Sequence, residues 1–151
     1  MSPEAVLNYC FSHFKGIRTI DSWGERSLFY NPEGKLKRGI YILTIKEKDG
    51  KNDCSSNLDR QGVWRLNIGV RKSTFRTIFG ELPTCPQKGG VIEMDYDFTT
   101  LGCLLPHPVY AWMGWICVLN PTARTFESLK PYVEDAYEYA KEKYAKKAAK
   151  M

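Results

Sequence analysis

Residues 63–70 restrict the fold of this chain more than any other segment. Their side chains alternate between two sides, with one side formed by Val63, Arg65, Asn67 and Gly69 and the other by Trp64, Leu66, Ile68 and Val70. A period of two is typical of a β-strand with one face on a core and one face open. The pattern therefore predicts a half-buried strand that carries two polar groups, Arg65 and Asn67, on its open face.

Other segments supply the remaining parts of a small sheet and its helices. Residues 39–46 form a second clear strand, and their apolar run predicts a central position. Ser2 and Pro3 are typical of a helix start, and a long helical pattern runs from Phe126 to Ala148. We expect an α+β fold: a single domain with a mainly antiparallel sheet packed against an N-terminal helix and a long C-terminal helix.

The intervening segments are less regular. Prolines and glycines predict a loop over residues 81–96. Residues 98–105 are compatible with a short helix or with irregular structure. Ser73 is the expected cap of a short helix, and Thr125 is the expected cap of the last one.

Charge separates the body of the chain from its end. Residues 141–151 hold five lysines and one glutamate, a net +4 of the chain's +5, so residues 1–140 carry only +1. We expect one domain over 1–140 and a lysine-rich helix end or tail over 141–151. A nucleic-acid partner would need a basic face on the body, so it is disfavoured but stays open.

Cysteine usage and hydropathy predict a cytoplasmic protein. The five cysteines are odd in number and lack a C-x-x-C pair, which is typical of reduced thiols. No apolar run is long enough for a membrane span, and the start of the chain lacks the basic and apolar regions of a signal peptide. We expect no membrane association, and the oligomeric state stays open.

The common cofactor and metal motifs do not occur in the sequence. It contains no phosphate-binding loop, dinucleotide fingerprint, zinc-protease motif or calcium loop. Its two histidines, His13 and His107, are too few for a His-rich metal site. We therefore expect neither a metal nor a cofactor.

His107 is the strongest candidate for chemistry. It lies between Pro106 and Pro108, which stiffen the backbone on both sides. A titratable ring on a rigid loop suits acid–base work or ligand orientation. The alternative is structural, with the ring bonding a backbone carbonyl and locking the loop against the sheet.

Further candidates cluster around the alternating strand. Arg65 and Asn67 share a face, with Asp59 and Arg60 just upstream in a polar loop; Asp21, Trp23 and Glu25 follow the first predicted strand. These groups could converge with His107 on a pocket, or an Arg–Asp pair could join a loop to the sheet. Trp64 and Trp115, with Trp112, suit either an apolar pocket or the core.

Three blocks resemble the signature of an uncharacterised family, domain of unknown function 6194: residues 59–70 (DRQGVWRLNIGV), 104–110 (LLPHPVY) and 114–121 (GWICVLNP). The resemblance extends over about residues 3–140. It places Asp59, Arg60, Arg65, Asn67, His107 and Asn120 in signature blocks and implies no established activity. The element order is also similar to the MmcQ/YjbR group, which would imply a CyaY-like fold that has been discussed in connection with DNA binding.

Three hypotheses of function follow. The leading one is a small-molecule binding module with an aromatic, polar-rimmed pocket that uses Arg65, Asn67, Asp59, Arg60, Trp64, Trp115 and Asn120. The second is an enzyme with His107 as general acid or base and Arg65 holding an anionic substrate group. The third is a nucleic-acid or protein interaction module.

Overall fold

The structure is a computed structural model that describes residues 1–22 and 24–151. Trp23, which the sequence groups with Asp21 and Glu25, lies outside the described residues. The elements follow one another as α1 (Pro3–His13), β1 (Ile17–Ser22), β2 (Glu25–Tyr30), β3 (Ile40–Lys46), β4 (Arg65–Ile68), α2 (Lys72–Phe79), β5 (Leu104–Pro106), a short 3-10 helix (Ala111–Met113), β6 (Ile116–Leu119) and α3 (Ala123–Ala148).

The strands of the described chain form one six-stranded sheet in the order β1-β2-β3-β4-β6-β5. Every pair of neighbouring strands in it is antiparallel. Strand β3 lies between β2 and β4, which confirms its predicted central position. The α+β class, with the N-terminal helix and the long C-terminal helix flanking the sheet, is confirmed.

The main core lies between the sheet and the two terminal helices. The buried face of α3 meets one face of β2, β3 and β4, and its buried side chains are Phe126, Leu129, Val133, Ala136, Tyr137, Ala140 and Tyr144. Burying each large apolar side chain stabilises the fold by about 1.5–3 kcal/mol. Residues 141–148 continue α3, and the ring of Tyr144 meets that of Tyr30 at 5.2 Å.

The opposite face of the sheet is also covered, and here the prediction for β4 is wrong. Arg65 is 0% exposed and Asn67 is 1% exposed, although the alternating pattern predicts an open face. Leu58, from the long polar loop over residues 49–61, packs there with Leu105 of β5 against Cys117 and Leu119 of β6. A period of two separates the two faces of a strand, but it does not distinguish water from a covering loop.

The bounds of β5 and α2 also differ from those that the sequence predicts. Residues 104–106 form the edge strand β5, a position where the missing N–H of a proline is tolerated. Helix α2 begins at Lys72 because Arg71, whose amide N donates to the carboxylate of Asp135, occupies the N-cap position.

Helix α3 starts earlier than the sequence predicts. Its N-cap is Thr122, whose Oγ1 accepts from the amide of Thr125, and the helix continues through Pro131.

Within the described part of the chain, no helix has both the length and the apolar character needed to cross a membrane.

Candidate functional site

Three rows of side chains cross the sheet on the face opposite α3. Antiparallel register places directly opposite residues on the same face, so the first two rows follow from the strand pairing, and ring contacts define the third. The first row is charged and contains Glu25, Lys46 and Arg65; the second is small and polar and contains Ser27, Thr44 and Asn67; the third is aromatic and contains Phe29, Tyr41 and Trp115. The fold thus sorts this face of the sheet into charged, hydroxyl–amide and aromatic rows.

The guanidinium of Arg65 organises the polar part of this face. Its Nε donates to Oδ1 of Asn67 at 2.7 Å, and its Nη1 donates to Oγ of Ser56 at 2.9 Å. Both carboxylate oxygens of Asp53 accept from it, Oδ1 from Nη1 at 3.0 Å and Oδ2 from Nη2 at 2.5 Å. This bidentate pair connects the polar loop to the centre of the sheet.

The ion pair keeps both of its members charged. Burial alone would raise the pKa of Asp53, but the two bonds from Arg65 outweigh burial and hold that pKa below its ordinary value. Burial likewise opposes the charge of Arg65, and the bonds to Asp53 raise the pKa of Arg65 above its ordinary value. The network extends to Thr44, whose Oγ1 accepts from Nδ2 of Asn67 at 2.9 Å.

His107 lies beside this pair and is almost completely buried. Its Nδ1 accepts from the backbone amides of Val109 and Tyr110 at 3.1 and 3.0 Å. Its Nε2 lies 3.2 Å from Nη2 of Arg65 and 4.0 Å from Oδ2 of Asp53. Burial, followed by the charge of Arg65, lowers the pKa of His107 well below the ordinary value of 6.5.

A cavity of about 380 Å³ opens above these groups. Thr44, Asp53 and His107 lie at its floor, where they meet the buried network. Its remaining lining consists of Glu25, Ser22, Ser27 and Ile20, the aromatic side chains of Phe29, Tyr41, Tyr110 and Trp115, and Arg38 and Met113. Around the opening, Tyr41, Tyr110 and Met113 stay 43%, 46% and 43% exposed.

Three packing contacts hold the aromatic walls in place. The six-membered part of the Trp115 indole lies directly over Gly69, where an added Cβ would be 2.9 Å from its Cζ2. The Tyr41 ring meets Trp115 edge-on at 6.2 Å, and the Tyr110 ring lies 5.1 Å from that of His107. The walls are therefore positioned by the backbone as well as by one another.

Of the residues singled out from the sequence, some converge here. His107 and Trp115 line the cavity, and Glu25 lines it as well. Arg65 and Asn67 lie beneath the floor and reach the cavity through Asp53 and Thr44.

Two further residues from the sequence stabilise the polar loop instead. Asp59 accepts from the amide of Asp49 at 3.0 Å. Arg60 donates to the carbonyls of Ser56 and Asn57, and to that of Thr99 at 2.9 Å. Neither residue lines the main cavity.

Trp64 and Asn120 also lie away from the main cavity. Trp64 belongs to the core on the helix side of the sheet. Asn120 has φ of 46°; its Oδ1 accepts from the amide of Trp64 at 2.8 Å, and its Nδ2 donates to the carbonyl of Gly62 at 3.0 Å. Asn tolerates the left-handed conformation better than most residues, which accounts for its presence at this turn.

Sequence reasoning missed Asp53, Thr44, Ser56, Tyr41 and Tyr110. Strict alternation along β3 would place Tyr41 and Thr44 on opposite faces. They line one cavity because the pairing of β2 with β3 shifts register between Leu28 and Phe29. Tyr110 ends one of the signature blocks. Asp53 and Ser56 lie in a polar loop without periodicity, and only the folded loop brings them to Arg65.

These features define an α+β protein with an aromatic-walled cavity on one face of an antiparallel sheet. The chain belongs to the family described as "Family of unknown function (DUF6194)", whose model matches residues 1–149. Comparison with curated proteins and with solved structures found no match. The resemblance in the three sequence blocks is thereby confirmed, while the similarity to the MmcQ/YjbR group stays a prediction.

Among the residues that the structure describes, no group of three or more His, Cys, Asp or Glu is placed to hold a metal ion.

Proposed function

We propose that this protein binds a small molecule in the cavity above Asp53 and His107. The observation that carries the proposal is the position of exposed aromatic side chains over a largely buried polar network, of which Asp53 and His107 reach the cavity. Ligand pockets are typically lined by apolar and aromatic side chains, with a few polar groups that fix the orientation of the ligand.

The exposed apolar side chains support this proposal because they surround one opening. Tyr41, Tyr110 and Met113 all line the cavity and keep more than two fifths of their surface in water. Scattered exposed apolar residues need no explanation, but a group of them around a concave surface is typical of a binding site.

The buried network supports it on energetic grounds. A buried ion pair stabilises a fold no better than well-packed apolar side chains of similar volume. The pair of Arg65 and Asp53 is therefore better explained by what it presents, a charged carboxylate in a fixed orientation at the cavity floor.

The geometry gives less support to an enzyme that uses His107 and Arg65. The lowered pKa of His107 makes the ring a weak base and leaves it without an imidazolium proton to donate at neutral pH. Arg65 has five N–H donors; four bind Asn67, Ser56 and Asp53, and Nη2 also faces His107. Arg65 is also fully buried and does not line the cavity, so none of its donors reaches an anionic substrate group there.

A nucleic-acid role finds little support at the lysine-rich end. Lys141 and Lys143 lie over the rings of Tyr137 and Tyr139 of the same helix, at 5.2 and 4.1 Å. These contacts are within α3 and do not form a basic face on the sheet.

The test is a small-molecule screen by thermal shift, followed by titration of each hit against Tyr110→Ala. Tyr110 is half exposed, so its truncation removes a cavity wall without disturbing the core. We expect hits to bind this variant about tenfold more weakly, the usual effect of losing an aromatic contact. The control is Tyr96→Ala, which removes a tyrosine of similar exposure outside the cavity. The proposal fails if no hit is found, or if all hits bind both variants as they bind the unaltered protein.

A further inference from the structure

We propose that the ligand of this cavity is an organic cation, with a protonated primary amine at the carboxylate end and an apolar body against the aromatic rings. This inference rests on the proposed function, because it names the class of molecule that the same cavity receives. It is carried by the arrangement of charge, by the free acceptor atoms and by the aromatic walls.

The acids face the cavity and the bases lie behind them. The side chains of Glu25 and Asp53 are 30% and 15% exposed and both line the cavity. Their partners Lys46 and Arg65 are 8% and 0% exposed and lie outside the lining. The surface that a ligand meets at this end is therefore negative, although the four charges sum to zero.

The same end offers hydrogen-bond acceptors that the protein does not saturate. A carboxylate has about four lone-pair sites, whereas an ammonium group has three N–H donors and no acceptor. From the residues that the structure describes, the Glu25 carboxylate receives one long contact, 3.4 Å from Nζ of Lys46. Each oxygen of Asp53 accepts one N–H from Arg65 and keeps a second lone pair. The hydroxyls of Ser27 and Thr44 line the cavity beside these carboxylates.

The aromatic rings suit the rest of such a ligand. Cations are attracted to the faces of tryptophan and tyrosine rings, and an apolar scaffold gains from the same surface. Burial raises the pKa of Tyr110, and the charges of Asp53 and Glu25 raise it further. The negative field of both acids therefore extends to the Tyr110 hydroxyl.

The remaining charged group of the lining is distant from this end. Arg38 precedes β3, whereas Glu25 pairs with Lys46 at the other end of that strand. The backbone of Arg38 thus lies at the opposite end of β3 from the charged row, and Arg38 is not among the charges that shift the pKa of Asp53.

Three probes that share one ring and differ in charge test the inference: benzylammonium, benzyl alcohol and benzoate. Binding to the full chain is measured by calorimetry and by the indole resonance of Trp115. We expect benzylammonium to bind about tenfold more tightly than benzyl alcohol, the usual effect of a charge-assisted hydrogen bond. Benzoate should bind most weakly of the three.

The decisive variant is Glu25→Gln, which keeps the shape of the side chain and removes its charge. It should weaken benzylammonium binding about tenfold and leave benzyl alcohol unchanged. The matched control is Glu33→Gln, which removes an exposed acid that pairs with Lys35 outside the cavity.

The outcomes separate the two proposals. If benzyl alcohol or benzoate binds as tightly as benzylammonium and Glu25→Gln has no effect, the cation inference fails while the cavity stays a binding site. If none of the probes shifts the Trp115 resonance while the thermal-shift screen yields cavity ligands, the cation inference alone fails. If the screen yields none either, both proposals fail.

Discussion

Nη2 of Arg65 lies 3.2 Å from Nε2 of His107, so a guanidinium that always carries its protons faces a ring nitrogen. The other ring nitrogen faces two more donors, the amides of Val109 and Tyr110. A neutral imidazole has one acceptor and an imidazolium has none. Because bonding both amides requires a bare Nδ1, the neutral ring carries its proton on Nε2. Burial keeps His107 neutral, and the three donors around the ring, one of them charged, act in the same direction.

This arrangement predicts a loss of stability in mild acid. The pKa of His107 is lowered in the folded state, so below about pH 6.5 the unfolded chain binds a proton that the native protein does not. The free energy of unfolding should therefore fall as pH decreases from there, by up to about 1.4 kcal/mol per pH unit. Urea unfolding between about pH 7.5 and pH 4.5 measures this slope.

Two histidine variants assign the slope. His107→Asn should flatten it, since an amide oxygen can accept from the same backbone N–H groups without titrating. His13→Asn, at an exposed position on α1, is the control and should keep the slope. A slope that survives in His107→Asn would refute the assignment. The pKa of Asp53 is also lowered, but its contribution is lost only at a more acidic pH.

Removing one member of the buried ion pair should be strongly destabilising. Asp53→Ala leaves the fully buried guanidinium of Arg65 without a counter-ion, which typically costs about 3–5 kcal/mol. The comparison is Glu47→Ala, because its partner Arg26 is 25% exposed and also pairs with Glu4. That change should stay within about 1 kcal/mol. Denaturant midpoints measure both effects, and equal losses would contradict the burial argument.

The position of the Trp115 indole depends on the absence of a side chain at Gly69. Gly69→Ala would place a Cβ 2.9 Å from Cζ2 of that indole, so either the ring or the backbone must shift, and we expect the ring to do so. We expect a loss of roughly 1–3 kcal/mol in the free energy of unfolding, typical of overpacking. The indole N–H resonance of Trp115 should shift while that of Trp64, in the helix-side core, does not. An unmoved Trp115 resonance would show that the backbone yields instead.

Asn120 tests whether a signature residue is structural. Asn120→Ala removes its bonds to Trp64 and Gly62 and leaves a β-carbon at positive φ, so we expect a loss of about 1–3 kcal/mol. Asn120→Gly loses the same bonds without the backbone strain and should be less destabilised. Neither variant should change the affinity of a cavity ligand, measured by titration. Weaker ligand binding at unchanged stability would assign Asn120 to the binding site.

Much of the fold could be predicted from local patterns. Alternation identified β4, the apolar run placed β3 at the centre of the sheet, and helical spacing identified the last helix. Boundaries were less accurate where a distant residue decided them. Arg71 is the N-cap of α2, and its amide donates to Asp135 on α3. Nothing in the sequence around either residue predicts this contact.

The sequence by itself determined which side chains share a strand face, because successive residues of a strand point to opposite sides. It therefore placed Arg65 with Asn67, but it could not give their burial. Only the tertiary structure brought Asp53 and Ser56 from a loop without periodicity onto Arg65, and His107 beside them. It also aligned the charged, polar and aromatic rows, since register depends on contacts between strands that are distant in the chain. The cavity arises from that alignment.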